Sequence, residues 1–270
     1  MIKNITIGAD PEFFVYDTQK EEIASAEGVI GGTKNDPRPL TDLGHNVQED
    51  NIMVEFNIPP ASDEESFKRD IKIAVEAIDA QLPSNLISLI MSSAYIDPIY
   101  LGTEQAKTFG CDPDYCVWTM QQNNPPNSES ELRTCGGHIH VGYDNPNAKD
   151  SVSIIKALDL FLGVPSVLMD SDADRRKMYG QAGAFRGKEY GVEYRTLSNF
   201  WLANEKLVAW VYKATIDAIN FVNRGNKIER DLSDKIIRCI NNSETTLAKE
   251  LIEEFNLAVV VEDVKELKNA

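Results

Sequence analysis

Near its start the chain runs Thr6-Ile7-Gly8-Ala9-Asp10-Pro11-Glu12-Phe13-Phe14-Val15-Tyr16. Phe13, Phe14, Val15 and Tyr16 are strong β-formers, and Ile5 and Ile7 lead in, so the segment reads as a strand. Side chains alternate faces along a strand, which puts Asp10 and Glu12 on one side, roughly 7 Å apart. Two carboxylates so placed repel unless a cation or a basic side chain stands between them. Pro11 has no amide hydrogen, so an edge, a bulge or a strand start is expected there. The stretch is then either a solvated acidic strand end or half of a divalent-metal site.

Further acids come from a hairpin. Residues 45–48 and 52–58 read as two strands around Glu49-Asp50-Asn51. In the second, Ile52, Val54, Phe56 and Ile58 form one face, and Met53, Glu55 and Asn57 the other. Glu55 thus stands opposite a solid apolar face, a designated position for a carboxylate. Pro59-Pro60 stops the strand, and Ser62 with Glu65 predicts a capping box that starts a helix. Phe67, Ile71, Ala74, Val75, Ile78 and Leu82 give that helix one apolar stripe, and Pro83 ends the pattern.

Residues 86–96 read as one buried strand. Residues 97–131 are mostly loop, with Gly110-Cys-Asp-Pro-Asp-Tyr115 and Asn123-Asn-Pro-Pro-Asn127, and so long a segment is functional or mobile. Tyr115 and Trp118 either line a pocket or anchor that loop. Residues 132–143 form the next strand, with Cys135-Gly-Gly-His-Ile-His-Val-Gly142. Two of the chain's three histidines, His138 and His140, share a face there. Gly136 and Gly137 let another backbone or a ligand approach, and the paired imidazoles point to a ligand or phosphate contact. Residues 150–167 are helical. In Gly191-Val-Glu-Tyr-Arg-Thr-Leu-Ser198, Glu193 and Arg195 share a face, as a salt bridge or as part of a site. Residues 203–222 form a long amphipathic helix that Gly225 stops, and shorter helices follow at 230–241 and 244–255. The tail beyond Asn256 carries no chemistry. With no internal repeat or linker, residues 1–270 read as one domain with a helical C-terminal part from about 203.

The formal net charge of −16 excludes a phosphate-backbone binder and hence a nucleic-acid partner. No apolar run approaches the roughly 20 residues of a membrane span, and Met1-Ile-Lys-Asn-Ile has no export-signal core. A cytoplasmic protein with no membrane partner is expected, its four cysteines free thiols. The loop Gly31-Gly-Thr-Lys-Asn-Asp-Pro-Arg-Pro39 lacks the ending of a P-loop; it is a connector or a lid.

Strand faces therefore offer Asp10 and Glu12, Glu55 with Glu49 or Asp50, then His138 and Glu193, followed by several arginines. Oxygen ligands with one imidazole suit Mg²⁺ or Mn²⁺ better than zinc. Six such ligands are enough for two ions, and two metals beside arginines are what phosphoryl transfer from ATP needs.

Gly8-Ala-Asp-Pro-Glu-Phe-Phe-Val-Tyr-Asp17 resembles the first metal-binding strand of glutamine synthetase. His138-Ile-His-Val-Gly142 resembles the H-x-H strand of that superfamily and of the γ-glutamylcysteine ligases, and Val192-Glu-Tyr-Arg-Thr-Leu197 its late metal-and-phosphate strand. The order matches, and the chain is most similar to the small phage-associated carboxylate–amine ligases (amidoligases) of the superfamily. The resemblance implies an α/β fold: a curved, mostly antiparallel sheet with the site on its concave face and helices on the other. It implies an ATP- and Mg²⁺-dependent ligase joining a small-molecule or peptide carboxylate to an amine through an acyl-phosphate. One metal would use Glu12, Glu55 and an acid from Glu49 or Asp50; the second Asp10, His138 and Glu193. Arg186 and Arg195 would hold phosphate oxygens, with His140 by the nucleotide phosphates. Asp10 departs from the glutamate of the glutamine synthetase pattern. The chain also lacks that enzyme's separate N-terminal domain, and nothing marks an adenine pocket. A guanidino-kinase-like phosphotransferase on the same fold is the alternative among enzymes. Outside them it is a non-catalytic, metal-stabilised binding or virion-associated protein. A phage-encoded chain would work in the host cytoplasm.

Overall fold

The computed structural model describes residues 1–107, 113–124 and 130–260. Its strands are β1 (Thr6–Asp17), β2 (Glu22–Ala24), β3 (Arg38–Pro39), β4 (Asn46–Asp50), β5 (Met53–Asn57), β6 (Leu86–Leu89), β7 (Ser93–Tyr95), β8 (Tyr115–Cys116), β9 (Gln121–Gln122), β10 (Leu132–Thr134), β11 (Gly137–Gly142), β12 (Ala184–Lys188) and β13 (Gly191–Tyr194). Its helices are α1 (Glu64–Asp79), α2 (Glu104–Lys107), α3 (Ala148–Leu158), α4 (Val164–Met169), α5 (Asp174–Met178), α6 (Glu205–Asn223), α7 (Arg230–Asn241) and α8 (Thr245–Phe255). The fold is mixed α/β, built on one large sheet in the order β3-β4-β5-β1-β11-β13-β12-β8-β9, with β2 and β6 also paired to β1. Every strand pairing among the described residues is antiparallel.

β1 is the central strand, so an edge or strand start at Pro11 is not what forms. β11 pairs with residues 6–11 on one side, and β5 meets Glu12 and Phe13 on the other. Pro11 is tolerated because the register slips beside it. Residues 8–11 of β1 face residues 56–60 across the gap between the Ile7–Ala61 bridge and the Glu12–Glu55 pair. Pro11 falls within this gap, where no ladder bond is asked of it; the Ile58 amide still donates to the Ala9 carbonyl at 3.2 Å, so the extra residue itself lies at Pro59-Pro60.

Strand alternation then divides the sheet into two chemistries. Ile7, Ala9, Phe13, Val54, Phe56, Ile139, Val141, Val192 and Tyr194 are buried in the main core with residues of α1, α3 and α6. Asp10, Glu12, Glu55, His138, His140, Glu193 and Arg195 alternate with them and so occupy the opposite face. A second apolar cluster packs α4, α7 and α8 together.

Three boundaries differ from the sequence reading. α1 is capped by Asp63, whose carboxylate accepts from the Ser66 amide at 2.8 Å and from its hydroxyl at 2.8 Å, not by Ser62 with Glu65. Residues 86–96 split into β6 on β1 and β7 on β10, and much of the segment is exposed, with Tyr95 71% accessible. Residues 132–143 split likewise, because the chain leaves β10 at Cys135-Gly136 to join the large sheet as β11.

The segment Ala148–Met169 is one continuous helical run whose middle, Asp159–Gly163, is a π turn. Contrary to the expectation from apolar runs, its length and mean hydropathy of 1.8 are sufficient for a membrane span. In this fold it is a core helix, with 67% of its most apolar window buried. α6 and the helices after it fall close to the predicted positions, and Gly225 (φ +81°) ends α6 as expected. Cys111 and the chain beyond 260 lie outside the described residues, as do parts of the 110–115 and 123–127 loops.

Candidate active site

Two groups of metal-ligating side chains assemble on the polar face of the sheet. Glu12, Asp50 and Glu55 form one, and Asp10, His140 and Glu193 the other; within each, the ligand atoms lie within 4.8 Å of one another. The hairpin creates the first group by turning at Asn51 (φ +57°), a left-handed position suited to Asn. That turn pairs Glu55 with Gln48, and the pairing of β5 with β1 sets Glu55 opposite Glu12. Gln48 donates to Glu55 Oε2 at 2.9 Å, and the Gly136 amide donates to Glu12 Oε2 at 2.8 Å.

The choice between Glu49 and Asp50 is visible in the geometry. Glu49 turns away from the group and accepts three loop amides, from Gly28, Ile30 and Gly31, at 2.7–3.0 Å. Its carboxylate organises the loop after β2. Asp50 stands with Glu12 and Glu55.

Burial raises all three carboxyls of this group. Burial, then Asp50, lifts Glu12 from 4.5 to about 7. Burial, then Asp10, Asp50 and Glu12, hold Glu55 well above the ordinary carboxylate range. Burial also raises Asp50, against the pull of Lys34 from the Gly31–Pro39 loop and of Arg195. Three carboxyls gathered at one spot, with Asp50 raising both Glu12 and Glu55, are oxygen donors of the kind that could hold a divalent cation.

The second group is compensated by bases. His140 Nε2 lies 3.0 Å from Asp10 Oδ1, while His138 Nδ1 lies 3.3 Å from Asp10 and 3.7 Å from Glu193. Both histidines therefore touch this group, and His140 is the one whose ring nitrogen completes it. Tyr190 stacks on His140 and bonds its Nδ1, which fixes the ring. Glu193 meets Arg195 directly, Lys188 at 2.8 Å and Arg186 at 3.6 Å. Burial and Asp10 push the Glu193 carboxyl up, but Arg195 and the two histidines outweigh them and hold it near 2. Burial likewise raises Asp10, and His140 and His138 more than reverse it. Burial and the Arg195 charge depress His138 to about 4, leaving a neutral imidazole with a lone pair to offer.

The donor set fits a divalent cation of the Mg²⁺ or Mn²⁺ class. One group is all oxygen, and the other adds an imidazole to two carboxylates whose oxygens are now held by bases, Asp10 Oδ1 by His140 at 3.0 Å and Glu193 Oε2 by Lys188 at 2.8 Å.

Several residues of the site escape the sequence reading. Arg175, Tyr179, Arg133 and Thr134 join Glu12, His138 and Arg195 in lining the cleft beside the first group. Arg175 is buried and donates to the Thr196 and Arg195 carbonyls at 2.7 and 3.2 Å, bracing the strand end that carries Arg195. Asp114 reaches Arg195 Nε at 3.4 Å from the loop before β8. The signal for Arg175 was present in Asp172-Ala-Asp-Arg-Arg176 as a charged run, which alone reads as a solvated face. Gly136 and Gly137 do allow close approach, although to the protein itself. A Cβ on Gly137 would lie 2.2 Å from the Ser198 carbonyl, and one on Gly136 would strike the His138 ring at 2.3 Å. Trp118 anchors its loop by donating to Asp159 at 2.7 Å, and Tyr115 packs beside Phe185 at its rim, 41% exposed.

Residues 130–238 match the family model described as Phage phiEco32-like COOH.NH2 ligase-type 2. That span contains His138, His140, Arg186, Glu193 and Arg195, and leaves out Asp10, Glu12, Asp50 and Glu55. Among solved structures, a bifunctional glutathione synthetase from Pasteurella multocida aligns with a TM-score of 0.46 at 8% identity. The alignment covers 93% of this chain and 49% of that one, so the chain spans about half its length. No curated protein matches the chain.

Proposed function

We propose that the chain is an ATP-dependent carboxylate–amine ligase that forms an amide or peptide bond, with a glutamine synthetase-like arrangement of its sheet. The observation that carries this reading is the pair of ligand groups on adjacent strands, one of them ringed by Arg195, Arg186 and Lys188. The family match over residues 130–238 supports the reaction class.

In this reading Glu12, Asp50 and Glu55 hold one Mg²⁺ or Mn²⁺, and Asp10, Glu193 and a histidine of the β11 pair hold the other. When bound, the two cations would neutralise the phosphate oxygens of ATP. The γ-phosphoryl group passes to the substrate carboxylate, the amine attacks the acyl carbon, and phosphate leaves. Arg195 and Arg186 are the preorganised charges for the moving phosphoryl group. Their planar forks now face Glu193, so a nucleotide oxygen entering there exchanges one anionic partner for another. His138, neutral at pH 7, keeps its lone pair available, and the Tyr190 contact holds His140 against Asp10. The carboxylate and amine are small molecules or peptide ends, and the ATP requirement suits a cytoplasmic setting.

The test is ATP turnover against pools of amino acids and other acids, with mass detection of products. ADP, phosphate and a new amide are expected. ADP with a phosphorylated acceptor would make the protein a phosphotransferase, and no ADP under any condition would leave a binding protein.

A further inference from the structure

On the helix side of the sheet, behind the ligand groups, one carboxylate is buried among neutral donors. Asp159 is fully buried. It accepts from Trp118 Nε1 at 2.7 Å, Tyr194 Oη at 2.8 Å and Thr196 Oγ1 at 3.4 Å, and from the Gly183 amide. Burial lifts it to about 6, with these four donors pulling the other way. Neutral side chains of similar shape could brace a core at less desolvation cost, so a buried carboxylate here calls for a role.

Its position supplies one. Asp159 opens the π turn Asp159–Gly163, a helical irregularity common at functional sites. The turn brings Gly163 against β13, where a Cβ would lie 2.8 Å from Tyr194 Oη. Each donor belongs to a segment that carries a charged residue on the other face. Trp118 follows Asp114, the partner of Arg195. Gly183 immediately precedes β12, which carries Arg186. Tyr194 and Thr196 are the strand neighbours of Glu193 and Arg195. One carboxylate thus fastens three segments from behind.

We propose that Asp159 is a positioning residue, which through Trp118, Tyr194 and Thr196 holds Arg195, Arg186 and Asp114 in the single geometry that phosphoryl transfer requires. It touches no substrate, and its kinetic effect rests on the ligase reading. The test is Asp159→Asn, nearly isosteric, in the wild-type and Arg195→Lys backgrounds. Misplacement of a phosphoryl clamp should lower kcat on the order of 10²-fold, with a smaller change in the KM for ATP. Mn²⁺ binding to the Glu12 group, read by calorimetry, should be unchanged. Because part of the effect acts through Arg195, Asp159→Asn should cost clearly less in the Arg195→Lys background, the remainder acting through Arg186. An equal loss in both backgrounds, or wild-type kcat with only a lowered Tm, would overturn the proposal. If Asp159→Asn does not fold, Trp118→Phe and Tyr194→Phe each remove one donor, and an unchanged kcat in both is equally decisive against it. If the wild-type chain makes no ADP, the ligase reading falls by itself. Mn·ATP affinity then serves as the readout. A several-fold weakening by Asp159→Asn that depends on Arg195 supports the positioning role, and an affinity unchanged by it refutes that role.

Discussion

Replacing Glu12 by glutamine removes one charge from a buried group of three while keeping an oxygen for the Gly136 amide. In the folded chain the Glu12 carboxyl titrates near 7 instead of 4.5, raised by burial and then by Asp50. A shift of that size corresponds to about 3 kcal/mol. Below pH 4.5 the group is protonated both folded and unfolded and costs nothing. As pH rises from 4.5 to 7 the unfolded chain ionises first, so stability is lost progressively, and above about 7 the full penalty applies. Glu12→Gln should therefore stabilise the metal-free protein by up to about 3 kcal/mol at pH 8, roughly 6 °C in Tm for a chain of this size. It should do nothing at pH 4. Divalent cation should nearly cancel the difference, because wild-type protein gains about 2.7 kcal/mol at a hundredfold excess over Kd while the variant has lost a ligand and gains less. The assay is thermal melting at pH 4 and pH 8, in EDTA and in Mn²⁺, with ADP formation measured alongside. A variant that melts below wild type in EDTA at pH 8 would refute the reasoning, as would an equal gain from Mn²⁺ in both proteins.

Arg195→Lys keeps the charge but loses the fork; kcat for ADP formation should fall on the order of 10²–10³-fold, with Tm little changed. His140→Ala should weaken Mn²⁺ binding at the Asp10–Glu193 group about tenfold or more, and Tyr190→Phe, which frees the ring, should do so less; a Mn²⁺ titration followed by electron spin resonance separates them. Gly137→Ala would drive a methyl into the Ser198 carbonyl and should lower the denaturant midpoint by the equivalent of about 1–3 kcal/mol; an unchanged midpoint would mean that β11 and the Ser198 segment are less tightly joined than the distances imply.

The polar face of the sheet was legible residue by residue, because strand alternation is a local rule. Asp10, Glu12, Glu55, His138, His140, Glu193 and Arg195 each alternate with apolar neighbours in sequence, and they stand on one face of the sheet as that rule requires. Asp50 against Glu49 was not legible, since adjacent carboxylates in a hairpin differ only in which way the turn sends them. Pro11 was legible only as a choice. Its missing amide allows an edge, a bulge or a strand start, and it is the interruption of the neighbouring ladder, with one extra residue there, that accommodates it at the centre.

The sequence by itself determined the elements whose signals are short-ranged. β1, the β4–β5 hairpin, α1, α6, α7 and α8 follow from periodicity, turn residues and a glycine stop. It also determined which residue types could carry chemistry, because carboxylates, imidazoles and arginines on strands are visible without coordinates. Only the tertiary structure decided how they group. Pairing β1 with β11 sets Asp10 beside His138 and His140, and pairing β1 with β5 sets Glu12 beside Glu55. Arg175, Asp114 and Asp159 act through backbone carbonyls and donors distant in sequence, and no local pattern encodes those partners. A strand pattern fixes the face on which a side chain stands, whereas its neighbour across the sheet depends on register, and register is settled by packing of the whole chain.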